Sequence, residues 1–295
     1  MPLLTLHRLM PILTGLLLTV AASAGEAAPA GWQQPFSAVL ELPAREPDRH
    51  LEDGPGPEQQ IAVWRPGAAE EVAPLVVLLH GGCWLDAYDA GHVHPLASAL
   101  AGQGYAVAAP EYRRVGQQGG GWPGTFNDVG QAIDHLAAST MPGVDPGRMV
   151  LVGHSAGGQL ALWAAGRSRL QPEQALYSTD PFIPRAVIGL AAITDLAAYG
   201  EGHNDCQAVT PRLVGGGPSD HPERYAQASP AELGVAIPAV LLQGDQDPIV
   251  PPSQAKSLPG ARVRLVRGAG HFDLIHPSTA AFDILLAELE KVMNR

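Results

Sequence analysis

The run Met149-Val150-Leu151-Val152, then Gly153-His154-Ser155-Ala156-Gly157, then Gly158-Gln159-Leu160-Ala161-Leu162-Trp163 decides the fold. An apolar β-branched run, a Gly-x-Ser-x-Gly turn and a helix-like continuation together form the context of a nucleophile elbow. The backbone explains the residue types. A serine on a sharp strand-to-helix turn needs small neighbours, because Cβ atoms would collide where strand and helix approach. The helix N-terminus behind the serine offers free N–H groups and partial positive charge to a developing oxyanion.

Two further motifs flank this one. His80-Gly81-Gly82-Cys83-Trp84 follows the strand-like Pro74-Leu75-Val76-Val77-Leu78-Leu79. Its glycines let the loop turn amides inward, so two donors from this loop and the Ala156 N–H would form an oxyanion hole. His80 reads as a hydrogen-bonded structural residue. Downstream, strand-like Ala239–Gln243 runs into Gly244-Asp245-Gln246-Asp247-Pro248, and strand-like Val263–Val266 into Gly268-Ala269-Gly270-His271-Phe272. A serine, an acid and a histidine in that chain order supply a nucleophile, a base to take its proton and a carboxylate to fix the base. Asp195, which follows another strand, and Asp245 are rival acids on this reading.

These pieces, with Glu111-Tyr112-Arg113 and Ala228-Ser229-Pro230, resemble the α/β-hydrolases, within them the branch shared by hormone-sensitive-lipase-like esterases and kynurenine formamidases. The resemblance runs from about Ala73 to Glu290. It implies Ser155 as nucleophile, Asp247 as acid and His271 as base, with oxyanion donors on the backbone of Gly82, Cys83 and Ala156. The chain departs from lipase-like members at Cys83, where they usually carry a third glycine. The expected fold is accordingly α/β: a mostly parallel central sheet, helices on both faces, and a small cap after the sixth strand at residues 196–237.

Composition agrees with a single domain over residues 25–295. The 295 residues are 46% hydrophobic, enough for one large core. With 18 basic residues against 29 acidic, the formal net charge is −11, and the only lysines are Lys256 and Lys291. No basic cluster exists for a nucleic acid, and polyanionic substrates would be repelled. Arg8, the apolar stretch Leu9 to Val20 and Ala22-Ser23-Ala24 read as a signal peptide over residues 1–24, with Ala28-Pro29-Ala30 as a second cleavage site. The expectation is export to the periplasm or medium, without stable membrane association after cleavage. That compartment permits a disulfide between Cys83 and Cys206, the only cysteines; two free thiols are the other reading.

Elsewhere, Ser37–Leu42 and Gln60–Trp64 read as an antiparallel edge pair around a loop from Arg45 to Pro57. Thr125 and Asp128 have capping-box spacing, and Phe126, Val129, Ile133 and Leu136 share a helical face. Glu111 and Arg113 read as an ion pair, and His92-x-His94 as a surface helix start rather than a metal pair. Trp84, Tyr112, Trp122 and Phe272 follow strand ends or flank motifs, where such sheets bind ligands; half belong to the core, and Trp84 and Phe272 are the candidates for substrate contact. The resulting expectation is a serine hydrolase of small carboxylic esters, needing no cofactor or metal. Aryl-formamide hydrolysis and a non-catalytic binding protein of the same fold are the alternatives.

Overall fold

A computed structural model describes residues 32–67 and 72–294. The segment read as a signal peptide lies outside the described residues. The strands are β1 (Arg49–Glu52), β2 (Gln60–Trp64), β3 (Ala73–Leu79), β4 (Ala106–Pro110), β5 (Val144–His154), β6 (Ala186–Leu190), β7 (Ala239–Gly244) and β8 (Arg262–Val266). They form one sheet in the order β1-β2-β4-β3-β5-β6-β7-β8. Only the β1/β2 and β2/β4 pairs are antiparallel; the rest run parallel.

The continuous apolar runs exist because both faces of the sheet are covered. Leu75, Val77 and Leu79 of β3 pack on one side with Phe126, Val129, Ile133 and Leu136 from the helix Gly124–Ala138, as their spacing predicts. Val76 and Leu78 point to the other side, into a cluster with Leu96 and Leu100 of the helix His94–Gly102 and Leu285 and Leu289 of the helix Ala280–Met293. Parallel strands place their C-terminal ends together, which gathers the loops after β3, β5, β7 and β8 along one edge.

Several expectations fail at the periphery. Residues Phe36–Leu40 form a short helix behind Pro35, and it is Arg49–Glu52, inside the stretch read as a loop, that pairs with β2. An edge strand whose residues alternate between half-buried and exposed carries little apolar signal. The capping box is absent: Thr125 lies inside its helix, where its hydroxyl accepts from the Gly121 amide at 2.9 Å and donates to the Arg113 carbonyl. Asp128 is instead the partner of Arg113, at 2.7 Å, while Glu111 pairs with Arg114. The strand ends at Pro110, so alternation no longer decides which side these residues face. His92 is buried in a 3₁₀ turn rather than on the surface.

Between β6 and β7 the expected excursion consists of short helices, Leu196–Gly200, Thr210–Val214, Pro222–Ala228 and Pro230–Leu233. The Trp122 amide donates to Leu213 O at 2.7 Å, tying this segment to the loop before the helix Gly124–Ala138.

Candidate active site

Ser155 stands at the turn between β5 and the helix Ala156–Gly166, with φ 56° and ψ −119°. A left-handed backbone on a residue bearing Cβ is strained and persists only where its surroundings enforce it. They do so here. The Ser155 amide donates to Leu190 O of β6 at 2.9 Å. A Cβ on Gly153 would lie 2.1 Å from Gly157 O, and one on Gly157 would lie 2.2 Å from His80 O and 2.3 Å from Leu79 O. The two motif glycines are therefore required by strand, helix and β3 loop meeting backbone to backbone.

On the neighbouring loops, His271 Nδ1 and Asp247 Oδ2 are 2.7 Å apart. A carboxylate only accepts, so Nδ1 carries the hydrogen and Nε2 is left with its lone pair. Asp247 is itself fixed: Oδ1 accepts from the Ile249 and Val250 amides at 2.8 and 2.9 Å, and Oδ2 from Gln243 Nε2 at 3.4 Å. The rival acids are otherwise engaged. Asp195 caps its helix through the Ala198 amide at 3.0 Å, and Asp245 accepts from the Gly268 amide at 2.7 Å.

The histidine beside the serine links the two halves. His154 is buried, its ring lies 4.5 Å from the His271 ring, and its Nε2 is 3.1 Å from His271 O. Burial, with the nearby His271 and His92 rings, pushes its pKa well below the ordinary imidazole range, so His154 stays neutral and donates to that carbonyl. A neutral ring here places no charge beside His271. The Ser155 hydroxyl has no hydrogen-bond partner among the described residues.

The β3 loop lies against the serine: a Cβ on Gly81 would be 3.2 Å from Ser155 Cβ. Gly82, Cys83 and Trp84 have φ of 99°, 52° and 58°, three successive left-handed residues. Among the described residues, the amides of Gly82, Cys83 and Ala156 donate to no protein acceptor. Beneath the loop, His80 is buried and structural, as its position suggests. It stacks on Tyr112 at 4.3 Å, its Nδ1 is 2.8 Å from Gly81 O, and Tyr112 OH donates to His80 O at 2.8 Å. Burial pushes the neighbouring Glu111 carboxyl up, but His80, the Ala90 amide and Arg114 together outweigh it and hold it at about 2.

Cys83 and Cys206 are joined in a disulfide, with Cα atoms 5.1 Å apart. Of the aromatic candidates, Trp84 is fully buried: its Nε1 donates to Gln159 Oε1 at 3.0 Å and its ring meets Tyr199. It offers a substrate no surface, and Tyr112 is core as well. Phe272 is half-buried beside His271, with ring centroids 5.0 Å apart, and packs on Phe36 from the N-terminal segment. Gln159, Gln243 and Phe36 carry no sequence signal of this role; each is a common residue type, recruited by a fold that brings distant segments together.

Residues 61–261 match the BD-FAE family. The chain belongs to the BD-FAE family. Among curated relatives, this BD-FAE member is 29% identical over 249 residues to Esterase LipC of Mycobacterium tuberculosis, covering 75% of this chain and 59% of that one. It is 30% identical over 189 residues to an acetyl-hydrolase of Streptomyces hygroscopicus, covering 59% of this chain and 57% of that one. The chain thus spans little more than half the length of these relatives. Among solved structures, Esterase B of Lactobacillus rhamnosus superposes with a TM-score of 0.72 at 22% identity, covering 88% of this chain and 90% of that one. The eight-stranded, mostly parallel sheet is that of the α/β-hydrolase fold.

Proposed function

We propose that the protein is a carboxylic ester hydrolase that works through an acyl-enzyme on Ser155. The observation that carries this reading is the His271–Asp247 bond at 2.7 Å, made by a carboxylate whose other oxygen is held by two amides. Ser155 Oγ attacks the ester carbonyl as His271 Nε2 takes its proton, the contact closing when substrate is bound. Asp247 keeps His271 in the productive tautomer and stabilises the imidazolium. The amides of Gly82, Cys83 and Ala156 receive the oxyanion, and the helix Ala156–Gly166 adds its N-terminal partial charge. His271 then returns the proton to the leaving alcohol, and in the second half-reaction removes one from water.

The proposed substrates carry small acyl groups. The helices of the segment after β6, read as a cap, run three to seven residues, none long enough to line a tunnel for a lipid chain. The name of the acetyl-hydrolase relative points the same way. Phe272 and Phe36 supply an aromatic wall beside the base, suited to a flat substrate group. Export remains part of the proposal, supported by the disulfide, which persists in oxidising compartments.

The test is kcat/KM for p-nitrophenyl acetate, butyrate and decanoate beside N-formylkynurenine, with Ser155→Ala as control. Acetate or butyrate should lead, and Ser155→Ala should lose the activity. A decanoate preference would overturn the small-acyl assignment, and a formamide preference of about 100-fold, roughly 2.7 kcal/mol of transition-state binding, would overturn the ester assignment.

A further inference from the structure

Of the three left-handed residues after β3, each is held differently. Gly82 needs no holding, since glycine adopts that conformation freely. Trp84 is anchored by its fully buried indole, by Gln159 and by the Val115 amide, which donates to Trp84 O at 2.8 Å. Cys83 has no comparable anchor: among the described residues its backbone and side chain make no hydrogen bond, and the bridge to Cys206 is its one specific tether. Yet Cys83 is the residue bearing Cβ at φ 52° whose amide faces no protein acceptor.

The far end of the bridge is not free either. Asn204 Nδ2 and Tyr199 OH, both from the segment carrying Cys206, donate to Ile249 O at 3.0 and 3.2 Å. The Ile249 amide in turn donates to Asp247 Oδ1 at 2.8 Å. The bridge thus ties the loop after β3, through the segment after β6, to the loop that holds the acid.

We propose that Cys206 is a positioning residue for the reaction: through its bond to Cys83 it holds the Cys83 amide in the left-handed geometry that receives the oxyanion, so that turnover depends on the oxidised bridge. This rests on the ester-hydrolase reading above. Reduction by dithiothreitol supplies two electrons and two protons; the S–S bond breaks, two cysteine thiols form, and the reagent closes to its cyclic disulfide. Cys83 then relaxes toward negative φ, the ordinary preference of a non-glycine residue, and its amide swings away from the carbonyl oxygen.

The experiment compares oxidised wild type, dithiothreitol-treated wild type, Cys206→Ser and the double variant Cys83→Gly/Cys206→Ser, all assayed well below their melting temperatures. Thiols are titrated in the denatured protein, and kcat and KM are measured separately on p-nitrophenyl acetate. Oxidised wild type should show no titratable thiol and full turnover. Reduced protein and Cys206→Ser should lose about tenfold or more in kcat, in line with one oxyanion donor misplaced, while KM changes little. The double variant should regain most of the kcat but not the melting temperature, because glycine at 83 enters the left-handed region without a bridge. A merely structural bridge would move the melting temperature and leave kcat in place. Two thiols in untreated protein, a reduced enzyme that keeps its kcat within twofold, or a double variant no faster than Cys206→Ser would overturn the proposal. Oxidised wild type with no Ser155-dependent turnover would overturn the catalytic reading instead, and this proposal with it.

Discussion

Asp247→Asn perturbs the site where its geometry is tightest. Four donors converge on the Asp247 carboxylate: the Ile249 and Val250 amides on Oδ1, His271 Nδ1 and Gln243 Nε2 on Oδ2. An amide has one oxygen, so its NH2 must face one pair of these donors. With the oxygen toward the two backbone amides, the NH2 meets His271 and forces Nδ1 to accept. The proton then moves to Nε2, which can no longer take one from Ser155. The flipped amide restores the tautomer but leaves two buried backbone N–H groups against a donor, at about 1–3 kcal/mol each. The catalytically competent orientation is therefore disfavoured by roughly 4 kcal/mol, which corresponds to about a thousandfold in kcat. The assay is steady-state hydrolysis of p-nitrophenyl acetate beside a thermal melt. The expected outcome is a thousandfold loss in kcat, little change in KM and a folded protein. Loss of less than tenfold, or a larger loss in Asp195→Asn, would refute the assignment of the acid.

Two other perturbations test the scaffold. Burial raises the Asp53 carboxyl to about 6, and among the described residues neither of its oxygens has a hydrogen-bond partner. A raised acid binds its proton more tightly when folded, so this contribution is complete below the ordinary value of 3.8 and is lost as pH climbs through about 6, up to roughly 3 kcal/mol in all. Asp53→Asn should therefore gain stability relative to wild type by about 2–3 kcal/mol between pH 4 and pH 7 in urea melts; parallel pH curves would contradict it. Gly157→Ala drives a methyl into the Leu79 and His80 carbonyls, which cannot rotate aside. It should cost about 1–3 kcal/mol or more and lower kcat by displacing the adjoining loop, whereas Gly102→Ala, which meets nothing within 4 Å, should be close to neutral by the same thermal melts.

The interior of this fold was legible because burial on both faces leaves an unbroken apolar run, as at Pro74–Leu79, Met149–Val152 and Ala239–Gln243. The elbow was legible because crowded backbone admits only small residues around Ser155, and the Ser, Asp, His order followed from loops after successive strands. The periphery was not. β1 is a half-exposed edge whose Arg-His-Leu-Glu sequence looks like a polar loop, and Ser37–Leu42, which looks like a strand, is a short helix with Leu40 exposed. Pairings such as Arg113 with Asp128 and Glu111 with Arg114 depend on how the chain turns after Pro110, which no local pattern encodes. Trp84 resembled a ligand-contacting aromatic by position, but the left-handed turn carries its ring inward onto Gln159 and Tyr199. The resemblance favoured Asp247 over Asp195 and Asp245, but its approach to His271 is visible only with the loops in space.

Whether Ser155 is the nucleophile is read from mass spectrometry of protein treated with a fluorophosphonate. One phosphonyl adduct per chain is expected, on the peptide containing Gly153-His154-Ser155-Ala156-Gly157, absent from Ser155→Ala and slowed in Asp247→Asn. An unlabelled wild type, or an adduct that persists in Ser155→Ala, would contradict it.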